Sequence, residues 1–519
     1  MQARGRRWRR IKRLGAICMP GIWLLALASC AVGPDYHPPE SHVPATWSGL
    51  GAAAGSPTRL TTSPPVELVA WWGTFNDPML TSLVGRAIES NLDLRQAEAR
   101  VRQARASRGV AASGLWPEID TTGTYSRRYS PAPSSGSQGT ATASPSGTHT
   151  GGTSSTSAGA TSTSTNLFQV GLDAAWELDI FGGVRRNIEA STADMQAAME
   201  DRRDVLVTLA AEVGTNYVNL RGSQQQIDIA RKNLQAQRHT AEITRKRFKA
   251  GYVSALDVAS AQAQVATTES QIPPLESASQ SAIYSLSVLL GREPGALLPE
   301  LSTETPIPPT PPEIPVGLPS DLIRRRPDVR RAEAQIHAAT ARIGVATADL
   351  FPKFSLTGSF GFSSTDLNTL MNWSSRAWSL GPSVSWPIFA GGRIWWNIQV
   401  QDALQEQALI TYEKTVLIAL QDVETALVAY AKELERHKSL SQAVENNAKA
   451  MDLAMKRYIA GKTDFLSVLI FQNTLFQSED ALVQSTRTLT TDLIALYKAL
   501  GGGWEKESQP GKEAKARPF

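Results

Sequence analysis

The chain repeats itself, and that constrains its fold more than any other feature. Residues 91–117, NLDLRQAEARVRQARASRGVAASGLWP, align with residues 326–352, RPDVRRAEAQIHAATARIGVATADLFP, at an offset of 235. Later anchors align at an offset of 210. Arg247-Phe-Lys-Ala-Gly251 lies over Arg457-Tyr-Ile-Ala-Gly461, and Leu290-Gly291 over Leu500-Gly501. Copy one therefore carries about 25 extra residues between these anchors. Residues 131–166 supply them: they are almost all Ser, Thr, Gly, Ala and Pro, and read as a solvated flexible loop. Residues 299–319 hold Pro299, Pro306, Pro308, Pro309, Pro311, Pro312, Pro315 and Pro319, a stiff extended connector between the copies. A length of 519 residues alone suggests three or four domains, but the repeat overrides that prior.

Each copy carries two segments of period two. Phe168, Val170, Leu172, Ala174, Trp176, Leu178 and Ile180 alternate with Gln169, Gly171, Asp173, Ala175, Glu177 and Asp179. Phe354, Leu356, Gly358, Phe360 and Phe362 alternate with Lys353, Ser355, Thr357, Ser359 and Gly361. A fourth run spans Trp378 to Ile388, with bends expected at Pro382 and Pro387, and a weaker one lies near Ile119–Tyr129. One face carries Phe and Trp at both ends; the other is almost wholly Ser, Thr, Gly and acids. A half-buried soluble sheet alternates too. The aromatic ends favour a membrane barrel, with apolar residues facing lipid and polar ones the lumen. Four strands cannot close, and an open edge in lipid leaves backbone groups unpaired at several kcal/mol each. More than one chain must contribute.

Each copy also predicts one very long helix. Met199, Leu206, Val213, Leu220, Ile227, Leu234, Ala241 and Phe248 recur every seven residues. Seven of the eight positions 210 later are again apolar or aromatic, the exception being His437, a tolerated polar break in the seam. A sustained heptad packs against partner helices in a left-handed supercoil. No proline occurs from 184 to 250 or from 392 to 460, which gives two helices of about 100 Å each. Shorter helices at 91–114 and 254–291 supply the return path in copy one. The long loops 131–166 and 363–376 belong outside the cell, and the long helices then run into the periplasm.

The N-terminus is a targeting segment. Arg4, Arg6, Arg7, Arg9, Arg10, Lys12 and Arg13 precede an apolar run from about Leu14 to Ala28, too short to span a bilayer. Leu27-Ala28-Ser29-Cys30 resembles the lipobox of bacterial lipoproteins, where acylation and cleavage leave Cys30 first; an ordinary secretory signal is the alternative. Cys18 falls in the removed segment, so the mature chain holds one thiol and no disulfide. Without the seven basic residues, 45 basic face 48 acidic ones, and nucleic-acid binding loses its support. No later stretch reads as a transmembrane helix.

Catalytic patterns do not occur. Ala460-Gly461-Lys462-Thr463 mimics the end of a phosphate loop, but the Gly required five residues before Gly461 is Lys456. The six histidines show no HExxH or paired spacing, and no GxSxG is present. No enzyme, metal or cofactor is expected beyond the lipid on Cys30. Gly251 and Gly461 sit where left-handed helix caps belong, and Ser254-Ala-Leu-Asp257 reads as a variant capping box restarting a helix.

The sequence resembles the TolC/OprM family of outer-membrane efflux channels, in its lipoprotein branch of NodT-type outer-membrane factors. The matching segments are Cys30-Ala-Val-Gly-Pro-Asp-Tyr36, Trp71-Trp72 through Asp77-Pro78, Trp176-Glu-Leu-Asp-Ile-Phe-Gly182, and Arg325-Arg-Pro-Asp-Val-Arg330 through Phe351-Pro-Lys-Phe-Ser-Leu-Thr-Gly358. The resemblance implies an α+β membrane protein: a homotrimer with a 12-stranded β-barrel continued by a long periplasmic α-helical barrel, each chain an internal duplication. It implies an outer-membrane location, a periplasmic adaptor (membrane fusion) protein and an inner-membrane pump, commonly of the resistance-nodulation-division (RND) type. The expected function is a passive exit duct for small toxic compounds. The chain then divides into a signal peptide (1–29), a lipid-anchored and equatorial segment (30–90), repeat one (91–298), the connector (299–319), repeat two (320–502) and a tail (503–519). A trimeric coiled-coil adhesin or stalk is the rival. It usually carries one terminal barrel segment rather than two strand pairs inside repeats. A periplasmic hydrolase lacks any nucleophile or metal constellation.

The resemblance also assigns the helix turns. They are the gate and the adaptor-docking tips, formed by Arg247, Gly251, Asp257, Tyr458, Gly461, Lys462 and Asp464. In the family a tyrosine of the second hairpin is tied to an aspartate of the first, and Tyr458 and Asp257 match those positions. The family's second tie, an arginine, is absent: Thr463 stands there with Lys462 beside it. The deeper aspartates are replaced by Ser467 and Ile470, so an acidic ring has no residues at these positions.

Overall fold

The computed structural model describes residues 31–40, 43–48, 59–61, 66–130, 163–311 and 313–504. The signal peptide, Cys30, most of the 131–166 loop and most of the tail lie outside the described residues. In chain order the strands are β1 (Arg59–Thr61), β2 (Glu118–Ser130), β3 (Thr163–Leu178), β4 (Glu313–Pro315), β5 (Lys353–Ser364) and β6 (Arg376–Ser385). The helices are α1 (Pro78–Ser90), α2 (Leu92–Ser113), α3 (Gly183–Lys249), α4 (Ala255–Leu289), α5 (Leu298–Leu301), α6 (Pro319–Arg325), α7 (Pro327–Ala348), α8 (Arg393–Ile459) and α9 (Phe465–Ala499). Helices α3 and α8 are each 67 residues long, and α4 and α9 are each 35. No described helix is long and apolar enough to cross a membrane.

The chain forms two compact units, one built from 1–34, 109–189 and 341–401, the other from 35–108, 190–340 and 402–519. The first holds an antiparallel sheet in the order β2-β3-β5-β6. Register separates its faces, because directly paired residues point the same way. Ile119 pairs Ala174, Tyr125 pairs Phe168, Leu172 pairs Phe360, Trp176 pairs Leu356, and Phe360 pairs Trp378. On the opposite face Asp120 pairs Asp173, Asp173 pairs Ser359, and Ser359 pairs Ser379. There Thr122 donates to Asp173 Oδ2 at 2.8 Å, and hydroxyls of Ser355–Ser383 and Ser359–Ser379 meet at 2.7 and 2.8 Å. The apolar face is open: Ile119, Tyr125, Phe360, Trp378 and Leu380 are all exposed.

Two strand bounds differ from the periodicity. β3 begins at Thr163, so four residues assigned to the flexible loop pair with Arg127–Ser130. Ser and Thr read as linker, yet β-branched Thr suits a strand when a partner offers backbone groups. β6 ends at Ser385, so Trp386 and Ile388 lie beyond the ladder, on either side of Pro387. Pro382 stays inside β6, opposite Leu356, because this edge strand has one side without a partner strand among the described residues. Trp386 Nε1 instead donates to Leu350 O at 3.0 Å, as Trp176 Nε1 does to Leu115 O at 3.0 Å. Those two contacts are the same contact at the two sequence offsets.

The N-terminal segment is strapped to the start of α3. Val32 N donates to Phe181 O, and Arg186 donates to Val32 O and Gly33 O. Gly33 has φ +95°, and a Cβ there would lie 2.4 Å from Gly344 Cα, so only glycine fits. Asp179 caps α3, accepting from Val184 N and Arg185 N at 3.0 and 2.9 Å.

The second unit is helical. Its core gathers Trp71, Phe75, Leu80, Leu83, Tyr217, Leu286, Leu493 and Tyr497. Asp77 caps α1 through Met79 N and Leu80 N, and also accepts from Tyr217 OH at 2.7 Å. Trp71 stacks on Tyr497 at 5.4 Å between centroids. The proline-rich connector is not uniformly extended, since Leu298–Leu301 is helical and Glu313–Pro315 pairs in parallel with Arg59–Thr61. Pro299 falls in the first turn of this short helix, where its missing N–H has no intrahelical partner to lose. His437 is partnered by Thr486, at 3.0 Å from Nε2.

Candidate functional site

The turns from α3 to α4 and from α8 to α9 have the same local build. Gly251 (φ +79°) bonds back to Phe248 O, and Tyr252 N to Arg247 O; Gly461 (φ +69°) bonds to Tyr458 O, and Lys462 N to Arg457 O. Both are Schellman closures, which need a left-handed residue and so select glycine. The Gly-Lys-Thr of the phosphate-loop mimic is this turn. Each following helix is capped by a short side chain. Ser254 and Asp257 form the reciprocal box, with Ser254 N donating to Asp257 Oδ2 at 2.9 Å and Asp257 N to Ser254 Oγ at 3.3 Å. Asp464 accepts from the backbone and the hydroxyl of Ser467, and these bonds hold its carboxyl below the usual carboxylate range.

The two hairpins meet through an aromatic cluster. Ala261, Tyr458, Phe465 and Val468 are buried together, and the Tyr458 and Phe465 rings lie 5.8 Å apart. Tyr458 is 1% exposed. Its phenol oxygen lies 3.5 Å from the hydroxyl of Thr244, which is itself fully buried. Arg247 spans the seam twice: Nη1 donates to Tyr458 O at 2.7 Å, and the guanidinium lies 4.5 Å from the centre of the Tyr458 ring. The carbonyl belongs to the last turn of α8, where a cation is favoured by the exposed backbone oxygens.

The expected Tyr458–Asp257 tie is not made. Asp257 is engaged by Ser254, and no hydrogen bond joins it to Tyr458 among the described residues. Helix capping competes for the same carboxylate, three residues from its serine, and wins on proximity. Gly251, Gly461, Lys462 and Asp464 lie in the turns and are exposed. Thr244 and Val468 complete this cluster without matching a motif or a family position. Thr244 sits three residues after the heptad position Ala241, and that spacing marks it as a second seam position.

A cavity of about 480 Å³ lies elsewhere in the helical unit, and Arg326, Asp328, Asp422, Asp492 and Lys498 are among its lining residues. Arg326 donates to Asp328, Asp422 and Ala499 O. Burial, with the Glu433 charge nearby, pushes Asp492 up to about 6. Among the described residues no cluster of His, Cys, Asp or Glu could hold a metal.

A sheet with one apolar and one polar face, in a chain that also forms two long helical hairpins, is the protomer architecture of outer-membrane efflux channels. The outer-membrane channel OprN has it, with 34% identity and a TM-score of 0.80 over 92% of this chain and 100% of that one. The Outer membrane efflux protein family matches residues 83–292 and 318–502. Nodulation protein T of Rhizobium leguminosarum bv. trifolii is 31% identical over 491 residues, 94% of this chain and 97% of that protein. The pyoverdine export outer membrane protein OpmQ of Pseudomonas aeruginosa is 33% identical over 486 residues, 93% and 96% of the two chains. The chain belongs to the outer membrane efflux protein family, of the TolC/OprM type, whose members are passive channels and not enzymes.

Proposed function

We propose that the protein is the exit duct of a tripartite exporter. It works as a homotrimer whose three sheets close one 12-stranded barrel, continued by a periplasmic barrel of helices. A periplasmic adaptor docks at the hairpin tips, and an inner-membrane pump of the resistance-nodulation-division type delivers small toxic compounds. A lipid on Cys30 adds an anchor in the outer leaflet's partner layer, the periplasmic face of the membrane. The observation that carries this reading is the four-stranded sheet itself. Its faces are sorted by polarity, and its edges β2 and β6 have no partner strand among the described residues. Lipid on one side and unpaired edges on the other leave closure by further copies as the low-energy arrangement. Internal duplication fits the same reading, since paired helix lengths, turn closures and tryptophan contacts recur at fixed offsets. Relatives named for toluene efflux and for pyoverdine export support small organic cargo rather than protein.

Deleting the gene should raise accumulation of toxic dyes or solvents in the cell, and the wild-type copy should restore efflux. The tagged protein should copurify with an adaptor and a pump. Unchanged accumulation across a broad compound panel, with no partner recovered, would contradict the exporter reading.

A further inference from the structure

The Arg247–Tyr458 contact has a counterpart in sequence that one protomer cannot make. Moving each residue by the repeat offset of 210 gives Arg457 for Arg247, and Phe248 for Tyr458. Both are half-contacts in the single chain. Arg457 is exposed, and its guanidinium makes no hydrogen bond or ion pair among the described residues. Phe248 is 43% exposed, where the matching Tyr458 is 1% exposed. The position facing the phenol hydroxyl changes in step. Thr244 stands opposite Tyr458, and the residue 210 later is Ala454, which suits a ring without a hydroxyl.

Within one chain, Arg247 already occupies the seam from hairpin one to hairpin two. In a closed ring of alternating hairpins, each seam runs from one hairpin to the next in the same sense. The seam that leaves hairpin two therefore reaches hairpin one of the adjacent copy, which presents Phe248. We infer that Arg457 of each protomer packs over the partner's Phe248 and donates to its backbone carbonyl, forming an intersubunit clamp equivalent to Arg247–Tyr458. This rests on the trimeric reading above. The ring of tips then holds six arginine clamps, alternately within and between copies. Only the intrachain ones add a hydroxyl pair, Thr244 with Tyr458.

The test uses the full-length protein in detergent, with Phe248→Cys and Arg457→Cys combined and treated with a short bismaleimide. Covalent dimers and trimers should appear on denaturing gels. Each single-cysteine variant, which also carries Cys30, should stay at one chain. Light scattering on the parent and the variants reports assembly separately. A trimer by light scattering with no cross-linked ladder overturns the clamp and leaves the trimer standing. A single chain by light scattering of the parent removes the trimeric reading and the clamp together. A second pair guards against a variant that assembles poorly. Phe248→Trp keeps a ring under the guanidinium and should dissociate at the parental temperature, whereas Phe248→Ala should dissociate at a lower one. Equal loss in both overturns the clamp.

Discussion

Arg247 makes the tie to Tyr458 that the resemblance assigned to Asp257. A guanidinium over an aromatic face is worth about 0.5–1 kcal/mol when exposed, and a hydrogen bond from a charged donor about 1.5–3 kcal/mol. Arg247 makes both to Tyr458. Asp257 only starts α4, where losing a capping side chain costs about 0.5–2 kcal/mol of helix stability. Arg247→Ala should therefore raise single-channel conductance in planar bilayers, while Asp257→Ala should leave it near the parent. The reverse ranking would restore the aspartate latch. Tyr458→Phe should change little, because its hydroxyl contact is long and its ring remains. A second residue makes a pH prediction. The carboxyl of Asp492 is raised by burial to about 6, so the folded state binds its proton more tightly than the unfolded chain. Stability from this group is full at low pH and is lost as pH rises through about 6. Asp492→Asn should melt higher than the parent at pH 7.5, with the gap narrowing as pH falls through about 6 and closing below the ordinary aspartate range of about 4, by calorimetry. A variant that melts lower at pH 7.5 would show that the carboxylate is stabilised, not strained.

At the scale of elements, periodicity carried most of the information. Phe168–Leu178 and Lys353–Phe362 alternate because successive strand residues point to opposite faces, and pairing gathers the apolar ones on one face. Heptads and absent prolines set the two 67-residue helices for the same reason. What periodicity cannot show is competition between partners. Asp257 chose its local serine over a distant tyrosine, and Arg247 found that tyrosine across the seam. Sequence spacing contains the first choice but not the second, which depends on how two hairpins meet. Residues 163–166 failed differently, since linker composition hid a strand that exists only because β2 lies alongside. The sheet's two faces give a direct prediction. Phe360→Arg places a charge on the apolar face, at a cost of about 2–4 kcal/mol per chain near the bilayer midplane. Ser359→Arg, its neighbour, points to the polar face. The first should abolish heat-resistant oligomer on gels, and the second should preserve it. Equal effects would mean that the faces are not divided between lipid and water.

At the scale of the whole molecule, the sheet decides the assembly. Its order β2-β3-β5-β6 leaves Glu118–Ser130 on one edge and Arg376–Ser385 on the other. Water can satisfy those edges, but hydrocarbon cannot. Four strands per chain are half of the smallest membrane barrel, and three copies give twelve. The proposed channel requires that closure, which turns the face carrying Asp173 and Ser359 inward. The most direct measurement is the native mass of the purified protein in detergent micelles. Three chains per particle, with no smaller species that keeps its strand content, is the predicted result. A stable single chain that keeps its β-sheet signal in detergent would contradict the channel.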